Sequence, residues 1–253
     1  EDSYYVSLGD STITGYGLKD YEDGQQNGWL QLISTAAHSV LAQKLFGDNW
    51  KNQFTNFCQG SLRADDLLIL LDGEIELDDY YYAEIEPNLM EGTLEATQKK
   101  YIDNIKRADL ISVAIGGGNF LTFAGKYVNR VVGTTEGEPY ALDWARVGVE
   151  DSETMDELNE ALDLLVPIVD ALGLLDQYLP AGVEMENPAK FARAIAEGLL
   201  YGYASYNYYY PQVLARIKEI NPDAQLLILG MFNPVDDWTM AITIDGEEVI
   251  LDI

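Results

Sequence analysis

Apolar positions along this chain change their spacing in a way that alternates strand with helix. Tyr4-Tyr5-Val6-Ser7-Leu8 is a short apolar run ended by Gly9, and Phe54 to Phe57 is a weaker one. Between them Leu30, Ile33, Ala37, Val40, Leu41 and Leu45 recur at helical intervals with Gly47 as a stop, which predicts a helix from Trp29 to Phe46. Thr93 to Arg107 reads as a second helix, with Leu94, Tyr101, Ile102 and Ile105 on one side. It runs into Leu110-Ile111-Ser112-Val113-Ala114-Ile115, apolar on both faces and closed by Gly116-Gly117-Gly118, the pattern of a buried parallel strand. Pro211 to Ile220 predicts a helix stopped by Asn221-Pro222, and Leu226 to Leu229 predicts another buried strand. Strands separated by helices argue for a parallel α/β sheet.

Two segments depart from this alternation. Asp72 to Glu86 holds the acids Asp72, Glu74, Glu76, Asp78, Asp79, Glu84 and Glu86, no base, and the triplet Tyr80-Tyr81-Tyr82. It reads as a solvated loop or short helix, with a calcium site as the sharper alternative. The stretch from about Tyr127 to Tyr210 contains a helix patterned Met155, Leu158, Leu162, Leu165, Val169 with a kink expected at Pro167. A further helix is expected to start at Asn187-Pro188. This stretch is far longer than one crossover needs, so a helical cap inserted into a single domain spanning residues 1–253 is expected. Ile242 to Glu247, with Asp245-Gly246 as its turn, begins a hairpin.

Charge changes the picture more than composition does. Of 253 residues, 43 are Asp or Glu against 15 Lys or Arg, a formal net charge of −28. Such a surface repels phosphate backbones, which argues against nucleic acid and against docking on anionic lipid. No apolar run approaches the roughly 18 residues of a membrane span. The lone Cys58 excludes an internal disulfide and any multi-cysteine metal site, and the lone His38 excludes histidine clusters. His38 falls on a polar side of its expected helix, one turn after Ser34, and reads as an ordinary surface or boundary residue. The acidic excess suits a secreted or surface bacterial enzyme, or a salt-adapted protein.

In an open parallel sheet, ligands bind beyond the carboxyl ends of the strands. Those ends carry Gly9-Asp10-Ser11-Thr12, Cys58-Gln59-Gly60-Ser61-Leu62-Arg63 and Gly116-Gly117-Gly118-Asn119-Phe120. A serine just past a strand and opening a helix exposes its hydroxyl and its backbone N–H at a positive helix end, a place for a nucleophile and an oxyanion donor together. An asparagine after the neighbouring glycine run can aim its amide at the same point. Taken singly, each of these is also an ordinary turn.

Taken in order, the three blocks resemble the SGNH (GDSL-type) hydrolase family of esterases and lipases. Val6 to Gly17 is similar to the family's first block, a hydrophobic strand, Gly-Asp-Ser and a turn glycine. Asn56 to Leu68 is similar to the second, with Ser61 at the place of the oxyanion glycine and Gly60 one residue early. Gly117-Gly118-Asn119 is similar to the third, with Phe120 where an aspartate usually stands. Asn221-Pro222-Asp223-Ala224, the strand after it and Gly230 to Pro234 resemble a later core strand. The resemblance implies a flavodoxin-like three-layer α/β/α sandwich, and a serine ester hydrolase working through an acyl-enzyme on Ser11. Oxyanion donors would be the N–H of Ser11, the N–H of Gly60 or Ser61, and the amide of Asn119. No metal or organic cofactor is implied. Substrates would be small-molecule, lipid or acylated-carbohydrate esters, and the tyrosines Tyr201, Tyr203, Tyr206, Tyr208, Tyr209 and Tyr210 either wall the acyl or sugar pocket or simply pack helices.

The family's final Asp-x-x-His block has no counterpart here. The expectation is that the C-terminal part of the domain is absent from this chain, which leaves Ser11 without a base, weakens activity and favours self-association through an open sheet edge. The alternative is a non-catalytic ligand-binding module on a degenerate SGNH fold.

Overall fold

The computed structural model describes residues 3–15, 18, 32–78, 85–86, 89, 92–132, 142–171, 188–230, 239–244 and 247–252. The start of the expected first helix at Trp29, Tyr16-Gly17, Tyr80 to Tyr82, Asn187 and Met231 to Pro234 lie outside them. The chain divides into two compact units, residues 1–119 with 205–231 and residues 120–204 with 232–253.

The first unit is built on a parallel sheet of β1 (Tyr5–Gly9), β2 (Phe54–Cys58), β3 (Leu110–Ala114) and β4 (Gln225–Ile228), in the order β2-β1-β3-β4. β1 is buried along its whole length because it has a strand on either side: Tyr5 stands opposite Phe54 in β2 and opposite Leu110 in β3. The side chains of β2 alternate between two covered faces. Phe54 points toward α1 (Ala37–Phe46), where it stacks on Tyr5 at 4.8 Å in a cluster with Ala42 and Trp50. Phe57 points to the other face and stacks at 4.3 Å on Tyr101 of α3 (Leu94–Lys106). Helices on both faces of a parallel sheet make this an α/β fold compatible with three α/β/α layers. The side chain of Thr93 caps α3 by accepting from Ala96 N at 3.2 Å.

Three expectations need correction. The first helix begins at Ala37 rather than before Ile33, because Ile33 to Ala36 form a turn closed by Ala36 N donating to Ile33 O at 3.0 Å. Its buried face is His38, Ser39 and Ala42, while Val40 and Leu45 are exposed. Ala42 joins the cluster of Tyr5, Trp50 and Phe54 with Leu41 and Phe46 partly buried against it, so the face the helix buries is rotated from the one the apolar periodicity predicts. His38 is therefore a core residue, 1% exposed, and not a surface one. Finally, β4 is not a buried strand: Gln225 and Ile228 are exposed, since β4 is the edge of the sheet. Asn221 anchors its approach, donating to Ile105 O and Ala108 O and accepting from Ala224 N.

Between β3 and β4 run α4 (Gly117–Val132), α5 (Ser152–Ala171) and α6 (Pro188–Ile220). The two helices expected at Asn187-Pro188 and at Pro211 are one, and Pro211 lies inside it. The second unit takes the greater part of α4, all of α5, the first half of α6 and a hairpin of β5 (Thr239–Ile244) and β6 (Glu247–Asp252). Ile244 stands opposite Glu247, and the expected turn residues Asp245 and Gly246 lie outside the described residues. Tyr201 is the pillar of this unit, edge-on to Phe123 and Trp144 with its hydroxyl donating to Asp143 O at 3.0 Å. No helix among the described residues is long and apolar enough to cross a membrane.

Candidate functional site

The strand order places a topological switch point between β1 and β3: the chain leaves β1 toward β2 on one side and leaves β3 toward β4 on the other. Loops at such a point diverge and open a crevice. Here the three strands end in step, with Asp10 N donating to Ala114 O at 3.0 Å and Gln59 N donating to Gly9 O at 2.9 Å. Gly9 is required for this convergence, since a Cβ there would lie 2.5 Å from Ala114 O and 2.6 Å from Ile13 Cγ2.

Asp10 laces the first loop to the third. Its carboxylate is buried and accepts from Thr12 N (2.9 Å) and Thr12 Oγ1 (2.7 Å) on Oδ1, and from Gly116 N (2.8 Å) and Gly118 N (3.3 Å) on Oδ2. Its charge thus sits at the N-terminal end of α4, where the peptide dipoles favour it. Ser11, next in sequence, is half-buried, and its carbonyl accepts from Thr14 Oγ1 at 3.0 Å.

The second loop is set by a buried ionic clamp. Arg63 meets Asp66 through Nε at 3.0 Å and Nη2 at 2.8 Å, its backbone N–H adds a third bond at 3.1 Å, and Nη2 also lies 3.1 Å from Asp65. This fixes the start of α2 (Ala64–Leu70), a helix buried on every side. Gly60 is half-buried and Ser61 exposed. Ser61 has φ of 61°, a left-handed conformation in which glycine is the usual residue. The position expected from the sequence to hold an oxyanion donor therefore has the backbone that a glycine would favour.

Asn119 closes the triangle. It is fully buried; Oδ1 accepts from Ala64 N at 2.9 Å, and Nδ2 donates to Ser205 Oγ of α6 at 3.1 Å. A primary amide has two N–H donors, and these bonds engage the acceptor and one of the donors. Gly118 lets the loops meet: a Cβ there would lie 2.1 Å from Leu62 O. Ser11, Gly60, Ser61 and Asn119 are thus brought to one end of one sheet, on two loops and the first turn of α4, cross-tied by Asp10 and Asn119.

The other nucleophilic or titratable groups near the sheet are disarmed. Burial pushes the Cys58 thiol up to about 12, and Ser7 Oγ lies 3.3 Å from its sulfur at the end of a buried chain through Ser112 to the Tyr5 hydroxyl. Burial likewise holds His38 down at about 4; the Ile13 backbone opposes the shift without forming a hydrogen bond of ordinary geometry. Both His38 ring nitrogens are without a hydrogen-bond partner, and its ring lies 5.5 Å from that of Phe54. Among the described residues no group of three His, Cys, Asp or Glu is placed to hold a metal, and the described part of the acidic segment, Asp72 to Asp78, is largely exposed.

The tyrosines divide by position. Tyr201 and Tyr209 are buried and pack, whereas Tyr203 and Tyr208 are exposed. Tyr206 and Tyr210 stack on each other at 4.8 Å with an interplanar angle of 18°. Sequence reasoning missed the cross-ties. Asp10 lay within the quoted motif without a role, and the Arg63-x-x-Asp66 spacing was the one signal for the clamp. Ser205 carried no signal. Comparison with protein-family models, with curated proteins and with solved structures finds no match to this chain.

Proposed function

We propose that this protein is a serine ester hydrolase of the SGNH type, in which Ser11 attacks an ester carbonyl and forms an acyl-enzyme. The observation that supports the reading best is the cross-tied triangle at the switch point: Ser11 half-exposed on the first loop, Ser61 in a left-handed conformation on the second, and Asn119 in the first turn of α4. Backbone N–H groups of Ser11 and of Gly60 or Ser61, with the second amide hydrogen of Asn119, would face the tetrahedral oxyanion. Fixed donors are effective because they need no reorganisation when charge develops.

The one histidine of the chain is buried, and among the described residues its ring nitrogens have no hydrogen-bond partner of ordinary geometry, so no imidazole nitrogen is hydrogen-bonded to Ser11. Loss of a base costs several powers of ten in acyl transfer. The same observation favours the second reading, a ligand-binding module that keeps the triangle and lacks turnover. Hydrolysis of p-nitrophenyl acetate separates the two. The proposed enzyme hydrolyses it barely above buffer, with the excess removed by Ser11→Ala; an excess that survives Ser11→Ala overturns the assignment of the nucleophile.

A further inference from the structure

The last four turns of α6 show what faces the site. Ser205, Tyr209, Val213 and Ile217 are spaced by four and buried, so they form the stripe by which this half of the helix packs on its unit. The hydrogen bond from Asn119 to Ser205 fixes the helix's rotation and its height against the third loop. Tyr206 and Tyr210 follow the stripe by one position each, so they flank it on a single side, also one turn apart. They stack nearly parallel and remain half-exposed. The pair thereby stands directly beside Ser205, the residue of α6 that bonds Asn119 of the site.

We propose that the Tyr206–Tyr210 pair is the ring-binding platform of this site and that it takes a neutral, O-acylated pyranose. The proposal rests on the reading of Ser11 as the acyl acceptor for the acyl part, and on the tyrosines alone for the ring. Tyrosine presents a flat apolar face with a polar rim, which matches a pyranose with its C–H face and its oxygens at the edge. An acyl chain would need neither phenol. The net charge of −28 disfavours uronates and phosphorylated headgroups, leaving an uncharged sugar.

The test is binding, measured calorimetrically with methyl glucoside peracetate on the full chain carrying Ser11→Ala, so that turnover plays no part. The expected result is saturable binding that Tyr206→Ala weakens by about tenfold or more, the effect of losing roughly 1.4 kcal/mol. Tyr210→Phe, which keeps the ring and the fold, should weaken it less, and Tyr208→Ala should leave it unchanged. Peracetylated methyl glucuronate, with a free carboxylate, should bind more weakly than the neutral sugar. Absence of saturable binding overturns the platform, as does Tyr206→Ala or Tyr210→Phe binding better than or as well as the parent while Tyr208→Ala weakens it. Binding with an unreactive Ser11 in the wild-type chain keeps the platform and removes the hydrolase. Ser11-dependent turnover without sugar binding does the reverse.

Discussion

Gly118→Ala places a single methyl group where the account says there is no room. A Cβ at this position would lie 2.1 Å from Leu62 O, 2.7 Å from Leu62 C and 2.9 Å from Ser61 C, all of them backbone atoms. To reach ordinary contact the Ser61–Leu62 segment must retreat by roughly 1 Å. It is not free to do so, because Leu62 is fully buried and Ala64 N is held by Asn119. Overpacking of this kind costs about 1–3 kcal/mol, and loss of the Asn119 bond adds about 1 kcal/mol. Helix propensity argues the other way, since alanine is favoured over glycine by about 1 kcal/mol inside a helix such as α4. The sign of the effect therefore decides between the two. Urea unfolding followed by tryptophan fluorescence should show Gly118→Ala destabilised by about 1–3 kcal/mol. Gly117→Ala is the matched control: its Cβ would meet Thr12 Cγ2 at 3.0 Å and the Asp10 carboxylate at 3.4 Å, side-chain atoms that can yield. It should cost less than half as much. A stabilised Gly118→Ala, or equal losses for the two variants, would refute the reasoning.

Asp10→Asn turns an acceptor of four donors into a group with two donors of its own, and should lower unfolding stability by about 2–4 kcal/mol, against about 1 kcal/mol for Thr12→Val; equal effects would remove Asp10 as the cross-tie. His38 titrates near 4 when folded and near 6.5 when unfolded, so between these values the unfolded chain binds the extra proton. Its contribution is complete above the unfolded value and falls by about 3 kcal/mol as pH drops from there to the folded one; His38→Leu should flatten the pH dependence of the urea midpoint across this window, and an unchanged slope would contradict the burial. The exposed edge of β4, with Ile228 51% accessible, is opposed in self-association by a net charge of −28. Sedimentation velocity should show association rising toward 1 M salt, where the Debye length is about 3 Å, and a monomer at every salt concentration would contradict it.

The strands that carry the site were legible from their apolar residues and the glycines near their ends, although β2 is interrupted by Thr55 and Asn56 and is followed by Gln59. The three loops were legible for the same reason: Asp10-Ser11, Gly60-Ser61 and Asn119 follow directly on strand ends. The face of α1 was not. Periodicity turns the larger apolar side chains inward, whereas α1 buries His38, Ser39 and Ala42 and leaves Val40 and Leu45 exposed, with Leu41 and Phe46 only partly buried against the Tyr5, Trp50 and Phe54 cluster. β4 has the composition of a central strand, but its position at the sheet edge depends on pairing between distant segments. Ser205 and the Tyr206–Tyr210 stack were hidden because Pro211 reads as a helix start, and only the continuous α6 brings these residues into register with Asn119.

The central claim is that Ser11 is an acyl acceptor lacking only a base. Its most direct measurement is peptide-level mass spectrometry after exposure to p-nitrophenyl acetate, with and without imidazole in the buffer. Imidazole from solution can stand in for the missing general base. The account predicts an acetyl group on the Ser11 peptide that increases with imidazole and is absent in Ser11→Ala. Acetylation confined to surface lysines and tyrosines, with the Ser11 peptide unmodified at every imidazole concentration, would contradict it.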